Sequence, residues 1–261
     1  MENKFIKVGE KILFKPSTDG LDYDLEAGKV YNVNIDRYSG DINFIVAPEL
    51  DLPTKVYSTV EDDRFVNKVL KQYGNTTSGV LGVMLSGLKG SGKTVTVKII
   101  ANKSNLPIIL IDKSFSPYQL KNLFSKLGDV EACFIFDEVD KLGEDYDDTF
   151  LLQVLDGANT TGKKLMLFTC NDKEEINDCL VDRCSRIRYW KQFEEMSASM
   201  IESILTDKLE DKSKIKPLLD FIQSKFGVIS FDNVISFISE VNSYPEDDFD
   251  SLFADMNLSE K

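Results

Sequence analysis

The stretch Gly87-Leu88-Lys89-Gly90-Ser91-Gly92-Lys93-Thr94 constrains this chain more than any other feature. It satisfies G-x-x-x-x-G-K-[ST] at every fixed position. Gly79 to Ser86 (GVLGVMLS) before it reads as a buried strand, and Val95 to Asn102 after it can form a helix. A strand, a Gly-rich loop and a helix in that order make a cradle for phosphates. Successive backbone N–H groups and the helix N-terminus converge where anionic oxygens are stabilised. Lys93 would reach the β- and γ-phosphates, and the Thr94 hydroxyl would take one position on Mg²⁺. A Gly-rich turn with a stray Lys is the bland alternative; the flanking elements argue against it.

Bulk properties narrow the rest. A chain of 261 residues suits one large domain or two smaller ones. Hydrophobic residues make up 42%, enough for an ordinary core. No apolar run reaches the ~18 residues of a membrane span. The start, Met1-Glu2-Asn3-Lys4, has neither the basic residues nor the apolar stretch of a signal peptide. The expectation is a soluble, cytoplasmic protein. Net charge is −13, which opposes non-specific nucleic-acid binding by the surface as a whole. Lys163-Lys164 and the Lys208–Lys216 region read as solvated charge, not as a basic stripe. Cys133, Cys170, Cys179 and Cys184 form no C-x-x-C pair and read as reduced, mostly buried hydrophobes. The chain has no histidine. That excludes Ser-His-Asp triads, Cys-His dyads and H-E-x-x-H zinc sites.

Four regions follow from patterning. Residues 1–60 read as a small β-rich N-terminal domain, barrel-like or covering a face of its neighbour. In it Tyr31, Val33 and Ile35 alternate with Asn32 and Asn34, and the turn Tyr38-Ser39-Gly40-Asp41 leads into Ile42 to Val46, so a hairpin is predicted. Thr54 to Ser58 is a further candidate strand. Residues 61–190 alternate strand-like and helical runs. Asp62 to Tyr73 and Tyr118 to Leu127 read as helices. Leu106 to Asp112, Ala132 to Phe136 and Lys164 to Cys170 read as strands. Such alternation predicts an α/β nucleotide-binding domain, a parallel sheet between helices. Residues 191–245 read as a helical lid. Met200 to Leu209 is one amphipathic helix, Pro217 opens another, and Ser230 caps a third. Residues 246–261 form an acidic tail. Phe249, Leu252, Phe253 and Met256 in it share one helical face, suited to a partner's groove or to packing on the lid or a neighbouring subunit.

The chemistry has a second half. Cys133 to Asp140 (CFIFDEVD) is a strand ending in an acidic pair. Asp137 would hold Mg²⁺ through water, and Glu138 would orient and polarise the attacking water. Asn171 ends the next strand, where a polar amide can touch the γ-phosphate and the attacking water; a turn or N-cap Asn is the structural alternative. Arg183 and Arg186 follow, and either could reach the γ-phosphate of a neighbouring subunit as an arginine finger. A surface ion pair is the bland reading for them.

In this order the landmarks resemble the AAA+ ATPases, most closely the classical AAA branch including its Bcs1-like members. The resemblance spans about residues 61 to 240. Leu151-Leu152-Gln153-Val154-Leu155-Asp156-Gly157 matches the family's L-L-x-x-L-D-G run, Thr169-Cys170-Asn171 its T-x-N, and Arg183-Cys184-Ser185-Arg186 approximates R-x-G-R. It implies that Gly87 to Thr94 is Walker A, Asp137 and Glu138 Walker B, Asn171 sensor 1, and Arg183 and Arg186 the fingers. It implies ATP and Mg²⁺ as cofactors, a homo-oligomeric ring, usually a hexamer, with ATP between subunits, and a protein client. Leu88-Lys89 stand where the family usually has two prolines, Ser185 where it has Gly, and no sensor 2 arginine is evident near Gly227 to Ser230. Phe115 and Tyr118 are the candidate pore aromatics, without the Gly that usually follows. The expected function is a ring-forming ATPase that remodels or disassembles a protein or complex. The alternatives are a clamp-loader-like or helicase-loader-like ATPase on nucleic acid, and a non-enzymatic ATP-dependent scaffold.

Overall fold

A computed structural model describes residues 4–8, 11–15, 24–36, 40–112, 114–141, 155, 162–172, 187–227 and 229–260. These residues fall into two compact units, Met1–Ser86 with Thr94–Gln192, and Gly87–Lys93 with Phe193–Lys261.

The first unit carries a nine-stranded sheet. Its strands are β1 (Lys4–Val8), β2 (Lys11–Lys15), β3 (Val30–Ile35), β4 (Ile42–Val46), β5 (Val80–Gly87), β6 (Ile108–Ile111), β7 (Ala132–Phe136), β8 (Lys164–Cys170) and β9 (Ile187–Phe193), in the order β1-β2-β4-β3-β6-β7-β8-β5-β9. From β3 through β6, β7 and β8 to β5 every pairing is parallel. Helices α1 (Val60–Asn75), α2 (Lys93–Ser104) and α3 (Pro117–Lys126) flank it. β7 and β8 are buried at every position, as expected for inner strands of a parallel sheet covered on both faces. β3 instead alternates buried and exposed beyond its first residue, so one face meets the core and the other meets solvent.

The predicted hairpin forms: β3 and β4 pair antiparallel, Tyr31 opposite Val46. The N-terminal strands do not close on themselves, however. β3 also pairs with β6, Val30 opposite Ile108, so β1–β4 continue the nucleotide-binding sheet. Phe5, Phe14 and Phe44 pack edge-to-face and join the same core as Phe134 and Phe168. Thr54 to Ser58 forms no strand and is largely exposed, a correction to the pattern-based reading. The chain bends at Thr54 and Lys55, which breaks the extended run a strand needs.

Local chemistry sets the helix starts. Thr59 caps α1 and forms a reciprocal capping box with Asp62. Ser116 does the same with Gln119 for α3, with Pro117 in the first turn. Phe115, just before that cap, is buried in the core, whereas Tyr118 is 79% exposed. Ser86, the residue before the Gly-rich loop, accepts a hydrogen bond from Trp190 Nε1 on β9 (2.8 Å).

The second unit joins the Gly-rich loop to α4 (Ala198–Lys208), α5 (Ile215–Lys225), α6 (Phe231–Ser243) and α7 (Phe249–Asp255). Ser230 caps α6 as predicted, accepting from Asn233 N–H. The tail is part of this unit. Phe253 on α7 packs against Phe221, Phe226 and Phe237. Glu260 bridges Phe226 in antiparallel fashion, and Lys225 pairs with Asp250 and Glu260. The apolar stripe of the tail is thus spent on its own helical unit. Among the described residues no helix is long and apolar enough to cross a membrane.

Candidate active site

β5 runs straight into the Gly-rich loop. Gly87 has φ +137°, and a Cβ there would lie 2.3 Å from the Phe193 carbonyl oxygen, so no other residue fits. Gly90 has φ +70°. A Cβ there would press Ser230 and Asp232 at 3.1 Å, and its carbonyl accepts the Phe231 N–H at 2.9 Å. The loop is therefore seated on the N-terminus of α6. Lys93 is 6% exposed, and its ammonium donates to the carbonyls of Gly87 (2.5 Å) and Leu88 (2.7 Å). The buried charge is held by the loop it serves. Thr94, the next residue, is exposed.

β7, β8 and β5 lie side by side and parallel, with Phe136 opposite Phe168 and Ser86 opposite Cys170. Their carboxyl ends therefore share one edge. β5 also connects through α2 to β6, beyond β8 and β7, which makes its flank a switch point where α/β sheets bind ligands.

At that edge β7 ends in Asp137 and Glu138. Glu138 has φ +52°, a left-handed conformation that side chains other than glycine adopt seldom. Thr169 holds it there. The Thr169 hydroxyl accepts the Glu138 N–H at 2.7 Å and donates to Asp137 Oδ1 at 2.5 Å. One hydroxyl therefore fixes both members of the acidic pair. The Asn171 amide nitrogen lies 3.2 Å from Glu138 Oε1 and 3.2 Å from Asp140 Oδ2. Lys141 pairs with Glu138 Oε2 at 2.6 Å. Asp140 and Lys141 come from a single 3₁₀ turn, Val139–Lys141, anchored by buried Val139.

Of the residues singled out in the sequence, the structure brings Asp137, Glu138 and Asn171 together. It places Gly87 to Lys93 in one loop, with Thr94 directly after it. Arg183, Arg186 and the L-L-x-x-L-D-G run apart from Leu155 lie outside the described residues, as do Cys179 and Cys184. Cys133 and Cys170 are both buried, as read from the sequence. Sequence reasoning placed Thr169 in T-x-N without giving it a role, and it missed Asp140 and Lys141. The signal for Thr169 was available: it is the one hydroxyl in an apolar strand, two residues before Asn171 and so on the same face.

The Gly-rich loop fits the phosphates of a nucleotide. Ser91 Oγ in the loop is buried and has no hydrogen-bond partner among the described residues, a cost that a phosphate oxygen would relieve. Among the described residues no three His, Cys, Asp or Glu side chains group to hold a metal unaided. Mg²⁺ takes one or two protein oxygens and completes its shell with water and phosphates, and Thr94 and Asp137 could supply such oxygens.

Residues 83–192 match the family model described as "ATPase family associated with various cellular activities (AAA)". Over that stretch the chain is similar to AAA ATPase domains. Such a domain is an enzyme that hydrolyses ATP. The AAA stretch begins inside β5 and ends in β9, so it contains the loop, both carboxylates and Asn171. The chain is 26% identical over 167 residues to the mitochondrial inner membrane m-AAA protease component AFG3L2 of Mus musculus. That alignment covers 52% of this chain and 21% of the relative, so the chain spans about a fifth of that protein. A solved chain from a study of the structural basis for katanin self-assembly superposes with a TM-score of 0.53 at 18% identity. The match covers 76% of this chain and 73% of that one, and the likeness is one of fold.

Proposed function

We propose that this chain is a ring-forming AAA+ ATPase of the classical branch, with Bcs1-like features, that remodels or disassembles a protein or protein complex. The observation that carries the reading is the Asp137–Thr169–Glu138–Asn171 network at the shared edge of β7 and β8. It gives Glu138 the fixed backbone and held carboxylate that a water-polarising base needs. In this reading Gly87 to Thr94 hold ATP, with Lys93 on the phosphates and Thr94 and Asp137 on Mg²⁺. Arg183 or Arg186 of a neighbouring copy stabilises the transferred charge.

Assembly into a homo-oligomeric ring, a hexamer by family expectation, follows from the need for that trans arginine. The fold likeness to a chain studied for katanin self-assembly supports it. Residues 1–60 select the client, 61–190 are the motor, 191–245 the lid and 246–261 its closing tail. Tyr118, exposed at the start of α3, is the aromatic available to touch a client; Phe115 is committed to the core. The site of action in this reading is the cytoplasm.

The test is to purify Glu138→Gln with MgATP and identify what stays bound. A single co-purifying protein without nucleic acid supports remodelling and names the client. Nuclease-sensitive nucleic acid overturns it in favour of a loader.

A further inference from the structure

We propose that Asp140 is a positioning residue that makes Asn171 an acceptor for the attacking water rather than a donor to the γ-phosphate. This rests on the reading of Glu138 as the catalytic base. A side-chain amide has two N–H donors on its nitrogen, and an ionised carboxylate oxygen only accepts. Asn171 Nδ2 lies 3.2 Å from both Glu138 Oε1 and Asp140 Oδ2, so both donors are committed. The reversed amide would set its carbonyl oxygen against two carboxylate oxygens. The chemistry of the partners therefore fixes the orientation, which electron density alone seldom does.

What Asn171 offers beyond these two bonds is Oδ1, an acceptor. An acceptor can take the O–H of a water and hold its lone pair toward the phosphorus. It repels a phosphate oxygen. Without Asp140 one N–H is released, the amide can turn, and this selectivity is lost. The position of Asp140 is itself costly. Its Oδ1 is buried without a hydrogen-bond partner among the described residues, and burying an unpaired carboxylate oxygen opposes folding. The carboxylate is held at this cost where it reaches the amide.

The side-chain amide protons of Asn171, assigned with Asn171→Asp in the full chain without nucleotide, test the contact. In the wild type both exchange slowly. In Asp140→Ala one exchanges about tenfold faster or more, by loss of a hydrogen bond of ordinary net strength. With ATP, Asp140→Ala lowers kcat by about tenfold and leaves KM within about twofold, the signature of an interaction felt in the transition state. In an Asn171→Ala background the same substitution costs less than about twofold, because the two act as one unit. Asp140→Asn, which keeps an acceptor oxygen, restores the slow proton and most of kcat; it also serves if the Ala variant does not fold. Unchanged Asn171 protons in Asp140→Ala, or an undiminished kcat loss in the Asn171→Ala background, overturns the inference. Absence of ATP turnover by the wild type would sink the underlying reading instead, with the amide signals still deciding the contact.

Discussion

β8 buries a polar residue at each end, and the two serve different purposes. Lys164 at the amino end has no exposed surface and donates to the Gly128 carbonyl at 3.0 Å. Its charge was read from the sequence as solvated; the structure corrects this, because the strand starts beneath the turn that carries Gly128. Burial drives its pKa down to about 8, against the pull of Asp129 and Glu131. Thr169 at the carboxyl end is 1% exposed, and its hydroxyl ties the Glu138 backbone to the Asp137 carboxylate. One end holds a single cation on one carbonyl. The other gathers Asp137, Glu138, Asp140, Lys141 and Asn171 around one turn. Buried polarity alone does not mark a reactive site; the convergence of several groups on one exposed edge does.

Substitutions at each end break or sharpen this contrast. Glu138→Gln has the largest expected effect: ATP turnover falls about 10²-fold or more as the general base is lost, with nucleotide binding kept. Steady-state turnover alongside equilibrium binding measures both. At the other end, Lys164→Met leaves turnover within about twofold but changes how stability depends on pH. The folded-state pKa of about 8 lies below the ordinary 10.5 of the unfolded chain. The unfolded chain then binds the proton more tightly, so the burial penalty is complete below about pH 8. Wild-type stability rises as pH climbs through the window from 8 to 10.5, by something on the order of 3 kcal/mol. Denaturant titrations at several pH values should show that rise in the wild type and not in Lys164→Met.

Thr169→Val keeps the volume of the side chain and removes the hydroxyl. Turnover should drop about tenfold and stability by about 1–3 kcal/mol, because a buried N–H loses its acceptor. A purely structural Thr169 would lower stability without touching kcat. The smallest effect is expected at Lys141→Ala. Its ion pair with Glu138 is exposed enough for solvent to screen it. Turnover should stay within about threefold; a collapse would place Lys141 among the groups that the carboxyl end depends on.

Much of this was legible because the decisive patterns are local. ACFIF and KLMLFTC are unbroken apolar runs of strand length, and they form β7 and β8 over the very residues predicted. The loop motif and the acidic pair also lie where covalent order puts them. What escaped depended on distant partners. Nothing near Val30 announces that it pairs with Ile108, so β1–β4 read as a separate module. The stripe of Phe249, Leu252 and Phe253 was visible, but the partners that fill it, Phe221, Phe226 and Phe237, lie more than ten residues upstream. Asp140 follows the acidic pair with nothing in the sequence to set it apart. Only the 3₁₀ geometry brings its carboxylate to Asn171.

The central claim is that the edge of β7 and β8 drives ATP hydrolysis in an assembly of like chains. Its most direct test is ATP turnover per chain, with Mg²⁺, measured over a range of protein concentrations for the wild type and Glu138→Gln. The account predicts wild-type turnover that rises with concentration as neighbouring subunits supply the arginine, and almost none in the variant. No turnover at any concentration, or equal turnover in the two proteins, would contradict it.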